Sequence, residues 1–262
     1  ARRFGGMLQA AMGAGPHSAT DLRRLFAGKN LILTAGMDNY SDYLSGRSNS
    51  GDLETLLQLN YLSMSSPRRD PMVFRSLVNN IAERALSQAA APEGRFADAR
   101  AQAVYGGHPR TLLRPGPEDY RSLDMDRSLD LFRSRMGSAK GMTFFLVGDF
   151  DVEAVKPLLA AWVASLPVAE LPLQYRDPGM RQVAGVKRQE FKAGLEQKSL
   201  VTYNFGGDVE YSRAGAAAFQ ALVEVLKMRT TEALRIRHQL IYASGVNGRY
   251  GRIPHPSYAI AI

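Results

Sequence analysis

The sequence predicts an α+β fold, with helices packed on mostly antiparallel sheets. Its 262 residues suffice for two domains of ordinary size. Helical and strand patterns mix along the chain without the strict strand–helix–strand alternation of a parallel sheet. Residues 167–181 contain three prolines and no apolar period, which is typical of a linker. We therefore expect a first α+β domain over 1–166 and a second over 182–262.

Capping signals and apolar spacing predict the elements at the start of the first domain. The expected elements are a short helix over 3–12, a helix over 21–27, and two strands over 30–37 and 40–46. Ser18 or Thr20 is the expected N-cap of the second helix, and Gly28 is its expected stop. This start therefore mixes helix and strand.

The rest of the first domain is mostly helical in pattern. Helices are expected over 53–64, from Asp70-Pro71 onward, and over 96–104, 118–123 and 127–136. Residues 142–147 predict a buried strand, followed by a turn and a helix that ends near Leu166. In the second domain, strands are expected over 182–192, 198–205, 240–247 and 257–262, with an alanine-rich helix over 211–236.

Both ends of the chain predict a piece of a longer protein. The chain starts at Ala1 without an initiator methionine, and it stops within the strand pattern of 257–262. We therefore expect the first domain to be truncated at its N-terminal side and the second at its C-terminal side.

Composition excludes several classes of site. The chain has no cysteine, so it has no disulfide, thiolate metal site or cysteine nucleophile. No run approaches the ~18–20 apolar residues of a membrane span. The net charge is +8, but arginines and carboxylates alternate over 110–127, whereas a nucleic-acid footprint would gather cations on one face. We therefore expect neither a membrane span nor a nucleic-acid partner.

Several short motifs, in a fixed order, resemble one family. They are YGGHP over 105–109, FFLVGDFD over 144–151, a helix ending in Leu-Pro at 166–167, and LRIRHQLIY over 234–242. This order is similar to that in the pitrilysin/insulinase (inverzincin) family of zinc peptidases. The resemblance implies a protein of two similar halves, each of two α+β domains, that close around a peptide. The zinc half of such proteins carries an H-x-x-E-H helix.

The chain lacks that zinc motif. Its histidines are His17, His108, His238 and His255, and no two of them have the required spacing. The place where the motif should fall, residues 3–12, contains no zinc ligand. Glu83 falls roughly where an active half has its third ligand, but without the histidine pair it is predicted to be a surface charge. The resemblance therefore implies the non-zinc half, which binds no metal and cuts nothing alone.

Arg235 and Tyr242 are the candidate site residues. They are similar to the arginine and tyrosine of the family's L-R-x-x-x-x-L-x-Y segment, which reach the substrate beside the zinc. A fixed cation and a phenol hydroxyl can stabilise the oxyanion formed when water adds to a peptide carbonyl. The alternative is a surface ion pair for Arg235 and strand packing for Tyr242. A second hypothesis is that the strand over 198–205 binds peptide at its edge through backbone hydrogen bonds.

These features predict the substrate-binding, non-zinc half of a zinc-dependent metalloendopeptidase. Its expected partners are the N-terminal catalytic half of the same chain, which would supply zinc, and a peptide substrate. The alternative is a non-catalytic structural or assembly subunit resembling processing-peptidase-like core subunits. The arginine-rich composition suggests a bacterial source, and we expect the periplasm or cell envelope, with the cytoplasm as the alternative.

Overall fold

A computed structural model of the protein describes residues 5–38, 41–89, 91–111, 113–171, 175–194, 197, 199–241 and 244–262. The helices are α1 (Gly5–Met12), α2 (Ala19–Leu25), α3 (Leu53–Ser65), α4 (Pro71–Ala89), α5 (Pro92–Val104), α6 (Pro117–Arg121), α7 (Met125–Met136), α8 (Val152–Trp162) and α9 (Arg213–Thr230). The strands are β1 (Leu31–Met37), β2 (Asp42–Ser48), β3 (Asn204–Asp208), β4 (Asn247–Gly251) and β5 (Ser257–Ala261). All strand pairs are antiparallel, so the fold is α+β, as predicted.

The chain forms two compact units that are each discontinuous in sequence. The first unit comprises Ala1–Ser87 and Pro115–Gln174. The second comprises Gln88–Arg114 and Tyr175–Ile262, so it includes α5 as well as the C-terminal sheet. The domain boundaries expected from sequence, 1–166 and 182–262, stay a prediction. No helix in the described ranges is long and apolar enough to cross a membrane.

Polar caps start the helices of the first unit where the sequence predicts them. Ser18 forms a capping box with Asp21 at the start of α2. Asp70 accepts a hydrogen bond from the Val73 N–H at 3.1 Å before α4, and Asp151 accepts one from Ala154 at 3.0 Å before α8. Each cap satisfies backbone donors that the first helical turn leaves unpaired.

The helices of the first unit enclose two apolar clusters. One cluster joins α1, α4 and α7 through the buried residues Leu8, Met12, Phe74, Val78, Met125 and Leu129. The other joins β1 to α7 through Met37, Phe132 and Met136. Burying a side chain the size of Phe132 stabilises a fold by roughly 1.5–3 kcal/mol, so these contacts hold the hairpin of β1 and β2 on α7.

The predicted strand over 142–147 is wrong. These residues form no strand in the structure, and Phe145 and Val147 are 84% and 98% exposed. An apolar, β-branched run fits a sheet only where a neighbouring strand can pair with its backbone. Within the described part of the first unit, the sheet consists of β1 and β2 alone. Residues 142–147 have the apolar pattern of a strand, but they pair with no described strand.

A three-stranded sheet carries α9 in the second unit. The strand order is β3-β5-β4, with β5 in the middle. Val223 of α9 packs on Val246 and Ile260, and all three are buried. Gly248 of β4 lies directly under the helix, since a Cβ there would lie 2.3 Å from Val223 Cγ2. The missing side chain lets α9 lie close to the sheet.

The strand prediction for residues 182–192 is also wrong. This segment attaches to α5 instead: the Val183 N–H donates to the Val104 carbonyl at 2.9 Å, and the Arg95 guanidinium lies 5.7 Å from the Phe191 ring centroid. The strand predicted at 198–205 lies further along the chain, at Asn204–Asp208. Its direction is antiparallel to the terminal strand, which keeps the predicted class intact.

Candidate functional site

The candidate site lies at the C-terminal end of α9. Ser212 caps the start of this helix, because its hydroxyl accepts a hydrogen bond from the Gly215 N–H at 2.9 Å. Phe219, Val223 and Leu226 form the face that packs on the sheet. This face fixes the axis of α9 and, with it, the position of the residues that follow the helix.

A π-helical segment, Thr231–Arg237, continues α9 directly. Its last turn is closed by the His238 N–H, which donates to the Ala233 carbonyl at 3.1 Å, five residues back. π-Helical turns are rare, and many of those known lie at functional sites. The wider turn changes the directions in which its side chains leave the axis, compared with a continued α-helix. Arg235 lies in this segment and is exposed.

The chain folds back on the π-helical segment at Gln239. Gln239 has a φ of +52°, the left-handed conformation that ends many helices. The Leu240 N–H then donates to the Leu234 carbonyl at 2.9 Å. This hydrogen bond holds the backbone of Leu240 against Leu234, the residue before Arg235. Ile236 and Leu240 are 66% and 71% exposed.

Glu232 forms ion pairs with Arg237 of this segment and with Arg229 near the end of α9. Its carboxylate lies 2.5 Å from the Arg237 guanidinium and 3.3 Å from that of Arg229. The hydrogen bond and charge of Arg237, followed by those of Arg229, lower the pKa of Glu232 from its ordinary value. Residues 228–241, all described, therefore contain three arginines and one carboxylate that is already engaged.

The two predicted site residues have different outcomes. Arg235 lies at the end of the long helix, where the sequence placed it, although within a π-helical rather than an α-helical turn. Tyr242 lies outside the described residues. Thr231 and Ser244 are linked by a hydroxyl–hydroxyl hydrogen bond of 3.3 Å, which ties the start of the π-helical segment to the chain beyond Tyr242. The catalytic roles of Arg235 and Tyr242 stay predictions.

The sheet edge at β3 is the second candidate site. Tyr203 and Ile262 exchange backbone hydrogen bonds of 3.0 and 2.9 Å, so they form a hydrogen-bonded pair just before β3. Hydrogen-bonded pairs alternate along an antiparallel ladder. The backbone groups of Asn204, Gly206 and Asp208 therefore point away from β5, toward the outer edge. No strand of the described ranges pairs with this edge.

Other candidate residues have local partners. Glu83 accepts a hydrogen bond from Arg121 at 2.8 Å, which agrees with its interpretation as a surface charge. His108 accepts one from the Arg110 N–H at 3.1 Å and has a structural role in its loop. Nowhere in the described ranges do three or more His, Cys, Asp or Glu side chains form a group that could hold a metal ion.

Sequence reasoning missed three features of these sites. It did not find the π-helical turn, because a segment of seven residues is too short to show a hydrophobic period of its own. It missed Glu232 and its two arginine partners, which a sequence shows only as common surface charges. It also placed the edge strand several residues too early. The pair Gly206-Gly207 could have indicated close backbone approach there.

Comparison with known proteins concerns both the family and the fold of the chain. A family described as the peptidase M16 inactive domain matches residues 127–251. A search of curated proteins by sequence finds no match. In solved structures, the fold is similar to the periplasmic protease PqqL from Escherichia coli, with a TM-score of 0.75 and 16% identity over 98% of this chain and 29% of that one.

Two further structures share the fold. A peptidase M16 inactive domain from Pseudomonas fluorescens has a TM-score of 0.72 and 17% identity, over 98% of this chain and 63% of that one. Pitrilysin has a TM-score of 0.63 and 12% identity, over 97% of this chain and 28% of that one. The chain thus spans under a third of the length of PqqL and pitrilysin. The match of residues 127–251 to the peptidase M16 inactive-domain family and the fold shared with these structures agree with the resemblance to the non-zinc half of a pitrilysin-type protease.

Proposed function

We propose that this chain is the substrate-binding, non-zinc half of a zinc-dependent metalloendopeptidase that hydrolyses peptides in a closed chamber. The observation that carries the proposal is Arg235, an exposed guanidinium on a π-helical turn within a segment that matches an inactive peptidase domain. The match to an inactive peptidase domain supports the proposal that this half binds no zinc. The exposed position of Arg235 supports the proposal that this half binds the peptide carbonyl.

Arg235 is suited to hold a peptide carbonyl. Its guanidinium is permanently charged and offers several N–H donors in a fixed plane. When water adds to a peptide carbonyl, the oxygen gains negative charge, and a donor fixed in advance stabilises that charge without reorganising. The packing of α9 on the sheet and the hydrogen bonds that close the π-helical turn fix the backbone that carries Arg235. Tyr242 would add a phenol hydroxyl to the same oxygen.

Zinc does not fit the described residues of this chain. The four histidines lie apart in sequence, and the part of the chain that the structure describes holds no metal-binding group of His, Cys, Asp and Glu. We propose that the N-terminal half of the same protein supplies zinc and the general base. The role of this chain is then to bind the peptide and to stabilise charge on its carbonyl oxygen.

The edge of β3 is the proposed second contact for the peptide. Asn204, Gly206 and Asp208 direct their backbone groups outward, and an extended peptide can pair with such an edge. Phe205, 50% exposed, would lie beside the added strand. A peptide methylated on the backbone nitrogens that face β3 should bind at least several-fold more weakly than its isomer methylated on the opposite nitrogens. Equal binding of the two isomers would remove this contact.

We place the parent protein in the periplasm or cell envelope. The support is the fold shared with PqqL, which is a periplasmic protease. Fractionation of the source cells, with immunodetection of the parent protein, tests this location. Recovery with the cytoplasmic fraction would contradict it.

The proposed function is tested by turnover of a quenched-fluorescence peptide mixture by the full-length parent. We expect zinc-dependent cleavage that falls by about 100-fold or more in Arg235→Ala, the scale of losing an oxyanion donor. Arg188→Ala is the matched control, because Arg188 is 89% exposed and lies in the same unit. Tyr242→Phe should also lower turnover. Absence of both turnover and bound zinc in the wild type would favour the structural-subunit alternative.

A further inference from the structure

The two faces of β3 have different neighbours. Phe205 pairs with Ile260, which packs on α9, and directly paired residues of an antiparallel ladder share a face. Because side chains alternate between the faces of a strand, Asn204, Gly206 and Asp208 lie on the opposite face. We call this the far face of β3. The same three residues direct their backbone groups to the outer edge, so the far face borders any strand that pairs there.

Arg100 of α5 is a cation at one end of the far face. Its guanidinium donates to the side-chain oxygen of Asn204 at 3.2 Å. This neutral acceptor leaves most of the five guanidinium donors for other groups. Asp98, two residues earlier on α5, lies near Arg114, with an N–O distance of 3.8 Å. Arg100 is half-buried, so a carboxylate arriving from solvent can reach it.

A carboxylate lies at the other end of the far face. The Asp208 side chain is 83% exposed, and its Oδ1 lies 3.2 Å from His255 Nε2. Arg181 is a permanent cation near this group, but it donates two hydrogen bonds, of 3.1 and 2.6 Å, to Asp177. The hydrogen bond to Asp177, followed by the charges of Asp177 and Asp208, raises the pKa of Arg181. The Arg181 charge is therefore met by Asp177, which leaves Asp208 with accepting positions for a further cation.

An amide lies between the two charges. A Cβ on Gly206 would clash with Gln182 Oε1, so the Gln182 side chain covers this position. Gln182 is held next to α5, because the N–H of Val183 donates to the Val104 carbonyl at 2.9 Å. Residues 204 and 208 are about 13 Å apart along an extended strand. This exceeds the Debye length of about 8 Å at physiological salt, so the two charges act on separate groups of a ligand.

We propose that the far face selects which peptide pairs with the edge of β3: an extended segment with an acidic and a basic side chain four residues apart. This inference rests on the proposed function. An added strand places each side chain beside that of its opposite residue, with Cβ atoms about 5 Å apart. A carboxylate opposite Asn204 then lies beside Arg100, and an ammonium group four residues away lies beside Asp208. These two ion pairs fix the register of the peptide, which backbone hydrogen bonds alone do not.

Fluorescence anisotropy on the 262-residue chain tests this selection without requiring turnover. The first probe is a labelled nine-residue peptide that alternates Thr and Val, with Glu at its third position and Lys at its seventh. Its isomer has Lys and the preceding Val exchanged, which moves Lys to the other face at the same composition and net charge. We expect the first probe to bind about two- to fivefold more tightly, the range of one exposed ion pair. Equal binding of the two isomers overturns the inference.

Variants of the chain locate the selection. Arg100→Gln, which keeps a donor for Asn204, and Asp208→Asn should each weaken binding of the first probe by about two- to fivefold. Arg188→Gln should leave it unchanged. A loss there equal to that in Arg100→Gln would overturn the inference, because it would show attraction to net charge alone.

A charge reversal turns the expected loss into a gain. Arg100→Glu should bind a probe with Lys at both charged positions more tightly than the wild-type chain does. Arg188→Glu makes the same change in net charge and should produce no such gain. Because a gain in affinity cannot come from failure to fold, its absence in Arg100→Glu would remove Arg100 from the selection.

The two proposals fail separately. If the full-length parent cleaves no peptide but the chain still distinguishes the isomers, the proposed function falls and the selection at the edge of β3 stands. If the chain binds the isomers equally while Arg235→Ala still lowers zinc-dependent turnover by the parent, the selection falls and the peptidase role stands.

Discussion

The Leu240 N–H donates a hydrogen bond of 2.9 Å to the Leu234 carbonyl, and this contact folds the chain back over the π-helical segment. The fold depends on Gln239, which has a φ of +52°. A non-glycine residue in this conformation is strained, because its Cβ approaches the backbone. The reversal that brings the Leu240 N–H back to the Leu234 carbonyl therefore has a cost in conformational energy, located at Gln239.

Gln239→Gly should raise the free energy of unfolding of the chain by about 1 kcal/mol, because glycine adopts this conformation without strain. Gln239→Val should lower it by a similar amount, since a β-branched residue tolerates the conformation least. The measurement is thermal or urea unfolding of the 262-residue chain. Gln220→Gly, on the exposed side of α9, is the control and should lower stability by about 1 kcal/mol. Destabilisation by Gln239→Gly would contradict the left-handed turn.

Gly248→Ala should destabilise the second unit by roughly 1–3 kcal/mol, because its Cβ would lie 2.3 Å from Val223 Cγ2 and 2.8 Å from Phe219 Cε1. The control is Gly251→Ala in the same strand, where a Cβ meets nothing within 4 Å. Urea unfolding of both variants, followed by circular dichroism, measures the difference. Equal stability of the two variants would mean that α9 does not lie as close to β4 as the structure places it.

Phe132→Ala should lower the free energy of unfolding by about 3–5 kcal/mol, because Phe132 of α7 is fully buried against β1. Phe145→Ala is the matched control. Phe145 is 84% exposed, so its loss should change stability by less than about 0.5 kcal/mol. Chemical denaturation of both variants tests whether residues 142–147 form a buried strand. A large decrease in the stability of Phe145→Ala would indicate that they do.

Asp177 should make part of the stability depend on pH. The Asp177 carboxylate accepts hydrogen bonds from the Arg181 guanidinium and from the Gly179 N–H. The bond from Arg181, followed by that from Gly179, lowers the pKa of Asp177 from 3.8 to about 2. A carboxyl with a lowered pKa in the folded state stabilises that state above its unfolded pKa, and the stabilisation disappears as the pH falls through the folded value. Asp177→Asn should therefore lower the Tm at neutral pH, and the difference should vanish below about pH 2. A difference that persists there would contradict this mechanism. Asp130→Asn, which removes an exposed ion pair of 3.3 Å, is the control and should change the Tm little.

Local signals predicted the helices well. The caps at Ser18, Asp70 and Asp151 act within the next three residues, so their effect on the backbone is written in adjacent sequence. The alanine-rich pattern over 211–236 likewise predicted α9 and its continuation to Arg237. The motif order also predicted the family from residues alone, and the match over 127–251 confirms it.

The sequence by itself determined the α+β class and the capped helices, because each depends on spacing within a few turns of chain. The choice of Arg235 came from the resemblance of residues 234–242 to a family motif. Only the tertiary structure decided which strand-like runs pair: 204–208 lies in a sheet, whereas 142–147 and 182–192 do not. It also decided that Arg229 and Arg237 meet at Glu232 and that the Leu240 N–H returns to the Leu234 carbonyl. The physical reason is that strand pairing and side-chain convergence depend on partners distant in sequence or on a single unusual backbone turn, and neither leaves a periodic signal.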